Sequence, residues 1–403
     1  MADRQLIFLA ACDIGDSIIA VDELGVGIFR IDKQDMSTHL LGKIEDLGMQ
    51  RNIYRTVEQC NDEIFFFSSF QSKDKPILVY HLDNQCFEYI NLREINQNVG
   101  GRYGSMYRTG NCLWLFPDEF DRYLIKFHLD NRQIEIVPQW NALTGNIVIN
   151  DTDTFVKISN VVEVQGVLYH AIKGTNFIIE INIENHLVKC HAIPTDKTFF
   201  IRLDFDGELF WIAESDNQGV ISWNPVTQET QYYSLNLSGK NAPKRDKWGK
   251  WVSHVLCGKR YLWIVPQIDG KLLKMSYETG SCEWIEIFPQ EFCARKEKGS
   301  IIGMTIKNGD ITDLYPHCSN LVIHLDLKND VLLEKYEKIL LPAEWSETEV
   351  ADYQFCHELE TNRISYDDYL GHLLQYTEND KVRADGSTSG ENIWKHIKNL
   401  GSE

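Results

Sequence analysis

A chain of 403 residues with 59 Asp and Glu against 40 Lys and Arg carries a formal charge of −19 and a pI near 5.1, which argues against nucleic acid or an anionic membrane as partner. Hydrophobic residues make up 43% of the chain, enough for a large core, so disorder is excluded for most of its length. No apolar run reaches the ~18 residues of a spanning helix. The ten cysteines form no CxxC pair and most sit in apolar runs, which fits a reducing, cytoplasmic setting.

The first apolar stretch, 6–11, ends in Leu9-Ala10-Ala11-Cys12, which mimics a lipoprotein cleavage box. It is shorter than the ~7–15 residues of a signal core, so the expectation is a first β-strand. From there a four-strand unit repeats along the chain. Second strands are expected at 17–21, 63–67, 112–116, 167–171, 208–212, 261–265 and 311–315. Their spacing of about 40–55 residues is that of four-stranded propeller blades. Third strands follow at 27–32, 78–83, 124–130, 178–184, 220–226, 272–278 and 321–327. Most end in an acid or Asn, which starts a turn.

Fourth, more polar strands are expected at 86–92, 133–137, 187–193, 231–235, 283–287 and 331–336. The first strands carry less signal: 6–10, 53–57, 103–107, 156–162, 199–203, 252–256 and 301–306. In a propeller the innermost strand lines the central channel. Small or polar residues there, such as Gly104, Ser105, Ser159 and Ser253, suit a crowded axis.

The clearest repeat is 207–230, GELFWIAESDNQGVISWNPVTQET. Both faces of its first strand are apolar, as in a strand sandwiched on both sides, and Asn224-Pro225 breaks the ladder after its second. This stretch resembles the repeat of streptogramin lyase-like and NHL-like β-propellers, and 5–338 is similar to a group of bacterial propellers. The resemblance implies a seven-bladed β-propeller over 1–342. The lyases of that group open a lactone ring by metal-assisted elimination with a His base. No catalytic role is carried over from them, because their motif has no residue-by-residue match here.

After Leu341-Pro342 the period changes. Ser346-x-x-Glu349 and Ser365-x-x-Asp368 read as capping boxes. Leu370, Leu373 and Leu374 fall on one helical face. Residues 343–403 are therefore expected to form an α-helical C-terminal extension, with helices near 347–359, 366–376 and 391–399. The fold class is all-β, with that short helical addition.

The loops between blades, and those joining second to third strands, share one face at the channel mouth. That face collects both charge signs and several aromatics, as a polar ligand site requires. Within it 240–251, KNAPKRDKWGKW, is the one basic cluster of an acidic protein. Lys244, Arg245, Lys247, Trp248 and Trp251, with Arg51 and Arg102, are the candidate binding residues. Bases interleaved with aromatics suit phosphate, carboxylate or sugar acids. His254, on a channel-lining strand, and His317, in a mouth loop, are the candidate general bases if the protein is an enzyme. Asp118, Glu214 and Asp216 offer oxygen ligands for Mg²⁺ or Ca²⁺. His81, His128 and His324 recur at one repeat position and read as structural. The leading expectation is a recognition module without chemistry or cofactor of its own. It would bind a protein partner or a polar small molecule such as a sugar. The alternative is a metal-assisted lyase or hydrolase.

Overall fold

The computed structural model describes residues 6, 8–22, 27–43, 54–68, 70–71, 76–96, 99, 101–117, 123–140, 160–215, 218–237, 243–244, 251–266, 271–286, 302–316 and 321–346. The second strands are buried on both faces in every blade, as SIIAVD at Ser17–Asp22, FWIAE at Phe210–Glu214 and YLWIVP at Tyr261–Pro266 show. An antiparallel strand apolar on both sides needs cover on both sides. That cover is supplied by packing sheet against sheet around a ring.

Seven antiparallel sheets result, with strands in sequence order. They form an all-β, seven-bladed propeller, with blades over 8–43, 54–90, 101–137, 162–192, 199–234, 252–286 and 302–338. The innermost strands are Phe8–Asp13, Tyr54–Cys60, Gly101–Thr109, Val162–Val164, Phe199–Phe205, Val252–Cys257 and Ile302–Asn308. The first of these touches both the second and the seventh, so the ring is closed. Among the described residues helix is limited to the single turn Leu92–Ile95 and to Gln139 and Trp140, and none is long and apolar enough to cross a membrane.

The core lies between blades rather than within them. Ile19, Val21, Ile64 and Phe66 share one cluster across the first two blades. Trp211, Ala213, Leu262 and Ile264 share another across the fifth and sixth. The seven described cysteines (12, 60, 86, 112, 190, 257 and 282) are free thiols.

The turn joining third to fourth strand holds a left-handed residue in all seven blades: Met36, Gln85, Arg132, His186, Gln228, Gly280 and Asp330, with φ between 56° and 66°. The Asp, Asn or Ser that starts several of these turns accepts backbone N–H bonds. Asp32 takes Gln34, Asn182 takes Glu184 and Asn224 takes Val226, which is the turn chemistry expected of those residues. Side chains at the left-handed position reach back to the preceding blade. Arg132 donates to Glu88 (2.6 and 2.9 Å) and Glu63 (3.0 Å). His186 Nδ1 lies 3.0 Å from Glu135 Oε1. Asp330 Oδ2 accepts the Arg260 N–H at 2.8 Å.

Closure needs no shared strand. Leu340 N–H donates to Met36 O (2.8 Å), Thr38 Oγ1 donates to Leu340 O (2.7 Å) and Leu40 N–H donates to Glu344 Oε1 (2.8 Å). Trp345 meets Phe29 edge to face at 5.7 Å. The segment after the last blade thus straps onto the outer strand of the first, Thr38–Lys43.

Two expectations need correction. The first strand lies at Phe8–Asp13 rather than 6–10, taking the LAAC sequence into the ladder. Thr38–Lys43 was not anticipated as a fourth strand, because Leu40 and Leu41 are adjacent and Gly42 follows, so THLLGK carries no clean alternation. The chain divides at Ser346 into two units. The second, Glu347–Glu403, and with it the expected C-terminal helices, lies outside the described residues.

Candidate functional site

The channel mouth is the end of each blade where its first strand begins and its second ends. The register there repeats. One extra inner-strand residue is inserted opposite the end of the second strand in five blades: Leu9, Arg55, Gly104, Ser253 and Gly303. In the fifth blade three residues, Phe200, Ile201 and Arg202, stand between Phe199↔Glu214 and Leu203↔Ile212. Such bulges bend a strand, raise its local twist and re-aim side chains at sheet rims. Gly104 and Ser253, expected at a crowded axis, occupy two of these positions.

Around the fifth blade the mouth is built in detail. Glu214, only 1% exposed, ends the second strand. Its Oε2 accepts the Tyr232 hydroxyl at 2.9 Å and its Oε1 faces Lys197 Nζ at 3.6 Å. The Lys197 ammonium also sits 5.0 Å over the Tyr232 ring. Tyr232 lies across Gly219, where an added Cβ would meet the ring at 2.5 Å. The carboxylate is thus held by a phenol from the outer strand and an ammonium from the connection out of the fourth blade. As a cation ligand it would first have to give up the Lys197 ion pair.

Trp251 departs from expectation. Instead of offering an exposed face for binding it is fully buried, packs among Trp211, Val255 and Leu262, and donates from Nε1 to Glu214 O at 2.6 Å. A large apolar ring beside the inner strand gains more from the inter-blade core than from solvent. Its place is the root of the basic segment, not its surface. At the other end Pro243 is buried, and Lys244 is exposed.

His254 lies on the inner strand of the sixth blade, with Nδ1 3.2 Å from Ser253 Oγ. Ser253 Oγ in turn donates to Val265 O at 3.2 Å. Arg102 lies on the inner strand of the third blade, where Gly101 and Arg102 pair with Gln71 and Phe70 from the preceding blade. Arg51, Asp118, Asp216, Arg245, Lys247, Trp248 and His317 lie outside the described residues, as does Ser159.

Sequence reasoning missed Arg202, whose Nε donates to Ser253 O across the blade boundary. Desolvation pushes its guanidinium down to about 10. The signal was present: an arginine inside the apolar run FFIRLDF, a place where a charge is rarely left without use. Lys197 and Tyr232 had no such signal.

Deeper along the inner strands acids appear. Burial pushes the Glu58 carboxyl up to about 7, opposed by the nearby Arg108 charge. Desolvation also raises Asp204, even though Cys257 N–H donates to it at 2.8 Å. Among the described residues one group, Glu63, His81 and Glu88, has metal-ligand geometry. It lies at the end opposite the mouth, where Glu63 starts its strand and pairs with His81. Arg132 already bridges its two carboxylates. The recurring histidines behave as structural residues: His324 Nδ1 sits 2.7 Å from Asp313 Oδ1, and His128 Nδ1 lies 3.4 Å from Cys112 Sγ.

No protein-family model matches this chain, and no curated protein does. Solved structures do. A catalytically inactive virginiamycin B lyase from Staphylococcus aureus with quinupristin superposes at a TM-score of 0.52 with 11% identity, over 79% of this chain and 94% of that one. A streptogramin B lyase gives 0.51 at 11% identity, over 79% and 92%. PorZ, a surface component of the type-IX secretion system of Porphyromonas gingivalis, gives 0.50 at 9% identity, over 85% of this chain and 39% of that one. At such identities the likeness is one of fold: the chain has the propeller architecture of the streptogramin lyases.

Proposed function

We propose that this propeller is a recognition module whose mouth face binds an anionic ligand or the acidic surface of a protein partner, without chemistry of its own. The supporting observation is the anchoring of the basic segment. Pro243 and Trp251 are buried on either side of it, and Trp251 is tied to Glu214. Pro243 and Trp251 thus mark the two described flanks of the stretch that carries Lys244, Arg245, Lys247 and Trp248, and Trp251 immediately precedes an inner strand. Five bases fall between Lys240 and Lys250 with one acid among them, in a chain of −19. Such a local positive field speeds encounter with anions at low salt. Each exposed contact contributes only ~0.2–1 kcal/mol, so the bases act as a set.

The test is the combined Lys244→Ala, Arg245→Ala, Lys247→Ala variant against immobilised polyglutamate and against pyrophosphate, each measured across a salt series. Polyglutamate binding should weaken and its salt slope flatten. An unchanged affinity and slope for polyglutamate would remove the segment from the site.

A further inference from the structure

Glu58 and Arg108 face one another across the boundary between the second and third blades, near the end of the channel opposite the mouth. Glu58 lies on the second inner strand, Tyr54–Cys60, and Arg108 on the third, Gly101–Thr109. Past their bulges both strands run in regular register, where directly paired residues and residues two apart share a face. Glu58 pairs with Phe65 and stands two residues before Cys60. Arg108 pairs with Leu113 and stands two residues after Met106. Phe65, Cys60, Leu113 and Met106 all belong to the core cluster between these two blades. The alternation therefore turns Glu58 and Arg108 toward each other at the inner edge of that core. The blades also touch at this end, where Cys60 Sγ lies 3.9 Å from Asn111 Oδ1.

Both side chains are half-buried, and neither is taken up by the other. Among the described residues Glu58 makes no side-chain hydrogen bond or ion pair, and Arg108 makes one hydrogen bond, from Nε to Gly110 O at 2.8 Å. The two terminal nitrogens of the guanidinium are left open. Burial holds the Glu58 carboxyl up near 7 against the nearby Arg108 charge, so at neutral pH much of it is the acid, which donates. The other titratable groups in electrostatic reach are Cys12, with Asp13 beside it, on the first inner strand, and Tyr107 on the third, with Glu163 beside it on the fourth. Cys60 also feels Arg108. Burial raises both thiols and the phenol, so all three are neutral. Two donor groups thus stand together with no acceptor from the chain between them.

We propose that Arg108 and Glu58 form a binding site for a small carboxylate at this inner rim, separate from the mouth face and independent of the reading given for it. A carboxylate only accepts hydrogen bonds, and its two oxygens match the open edge of a guanidinium fork. The Glu58 carboxyl adds a hydrogen bond while it keeps its proton and repels the ligand once it has lost it. Binding is therefore coupled to that proton: tighter below the Glu58 titration, weaker above it.

The experiment is calorimetric titration of the full-length protein with sodium acetate at about pH 6 and about pH 8.5, on either side of the Glu58 titration, with sodium chloride holding the ionic strength constant. Wild type should bind in the low-millimolar range at the lower pH and at least about tenfold more weakly at the higher one. Arg108→Gln should lose binding at both. Glu58→Gln keeps a neutral donor, so its affinity should match wild type at the lower pH and stay the same at the higher. Circular dichroism confirms the fold of each variant. If Arg108→Gln does not fold, Arg108→Lys, which keeps the charge and loses the fork, takes its place and should bind several-fold more weakly than wild type. The proposal fails if acetate does not bind wild type, if binding survives the arginine substitution unchanged, or if Glu58→Gln retains the pH dependence.

Discussion

The indole nitrogen of Trp251 donates to the backbone carbonyl oxygen of Glu214 across 2.6 Å, joining the residue that precedes one inner strand to the last residue of the neighbouring blade's second strand. Trp251→Phe keeps most of the apolar volume but leaves that carbonyl without its indole donor. The expected cost is ~1–3 kcal/mol. Trp251→Ala adds a cavity between blades and should cost ~3–5 kcal/mol. Denaturant midpoints of the two variants check the order. Equal losses would mean that the ring contributes nothing beyond the hydrogen bond.

Arg132 separates two effects at one position. Its backbone is left-handed, φ 60°, and its side chain holds Glu63 and Glu88. Arg132→Ala loses the ion pairs and keeps a strained backbone. Arg132→Gly loses the same pairs but relieves a conformation that disfavours a Cβ by ~1–2 kcal/mol. The Gly variant should therefore unfold later than the Ala variant, by about 1 kcal/mol after the larger unfolded-state entropy of Gly is subtracted. Glu88 adds a pH dependence. Partial desolvation pulls its carboxyl upward, but hydrogen bonds and charge from Arg132 outweigh this and hold it below the ordinary value. A depressed acid stabilises the fold above its unfolded pKa and loses that contribution as pH falls through its folded one. Wild type should lose stability below about pH 4.5, and Arg132→Ala should lose less over the same range. Identical acid profiles would show the pair to be energetically silent.

Glu58 works in the opposite direction. With its folded carboxyl pushed up to about 7 by burial, the fold holds a proton that the unfolded chain releases near pH 4.5. Stability should then decline as pH rises between those values, by about 1.4 kcal/mol for each pH unit at most. Glu58→Gln removes the titration, so its stability at pH 8 should exceed wild type while the two converge near pH 4. A parallel offset at all pH values would assign the effect to packing instead.

Removing the strap should loosen the ring. A chain ending at Ser346 keeps Leu340, Glu344 and Trp345 against the first blade, whereas one ending at Lys338 loses all of them. The second should melt several degrees lower, given three lost hydrogen bonds at ~0.5–1.5 kcal/mol each and one aromatic contact. Trp345→Ala in the full chain should reproduce part of the drop. Coincident melting of the two truncations would show that blade packing alone closes the ring.

Much of the fold was legible because second and third strands carry strong period and composition. Leu209 to Ala213 and Val220 to Trp223 could hardly be read otherwise. Inner strands were less clear, since a bulge within their first four residues breaks the alternation that marks a strand. Outer strands were uneven, and Thr38–Lys43 was missed altogether. Site residues fared unevenly for a different reason. Lys244 to Trp251 stood out by charge contrast, but contrast does not say which member turns inward, and the Trp251 ring did. Arg202 was visible as a charge inside an apolar strand, yet only the three-dimensional register puts it in a bulge against the Ser253 carbonyl. Lys197 and Tyr232 meet Glu214 through contacts between elements far apart in sequence, which no local pattern encodes.

The sequential order of strands within each blade has a consequence for how the chain reaches its native state. Every sheet is complete as soon as its own stretch of polypeptide is available, so most ladders form between near neighbours and the loop-closure cost of each is small. A nascent chain leaving the ribosome can build its blades one at a time, N-terminal first. The long-range steps come last: the seventh inner strand meets the first, and the contact of Leu340 and Trp345 with the first blade spans more than three hundred residues. Until that contact forms, the apolar flank of the first blade around Phe29 has no lasting cover. The interval between synthesis of the seventh blade and seating of the strap is therefore when the chain is most exposed to association with another copy of itself.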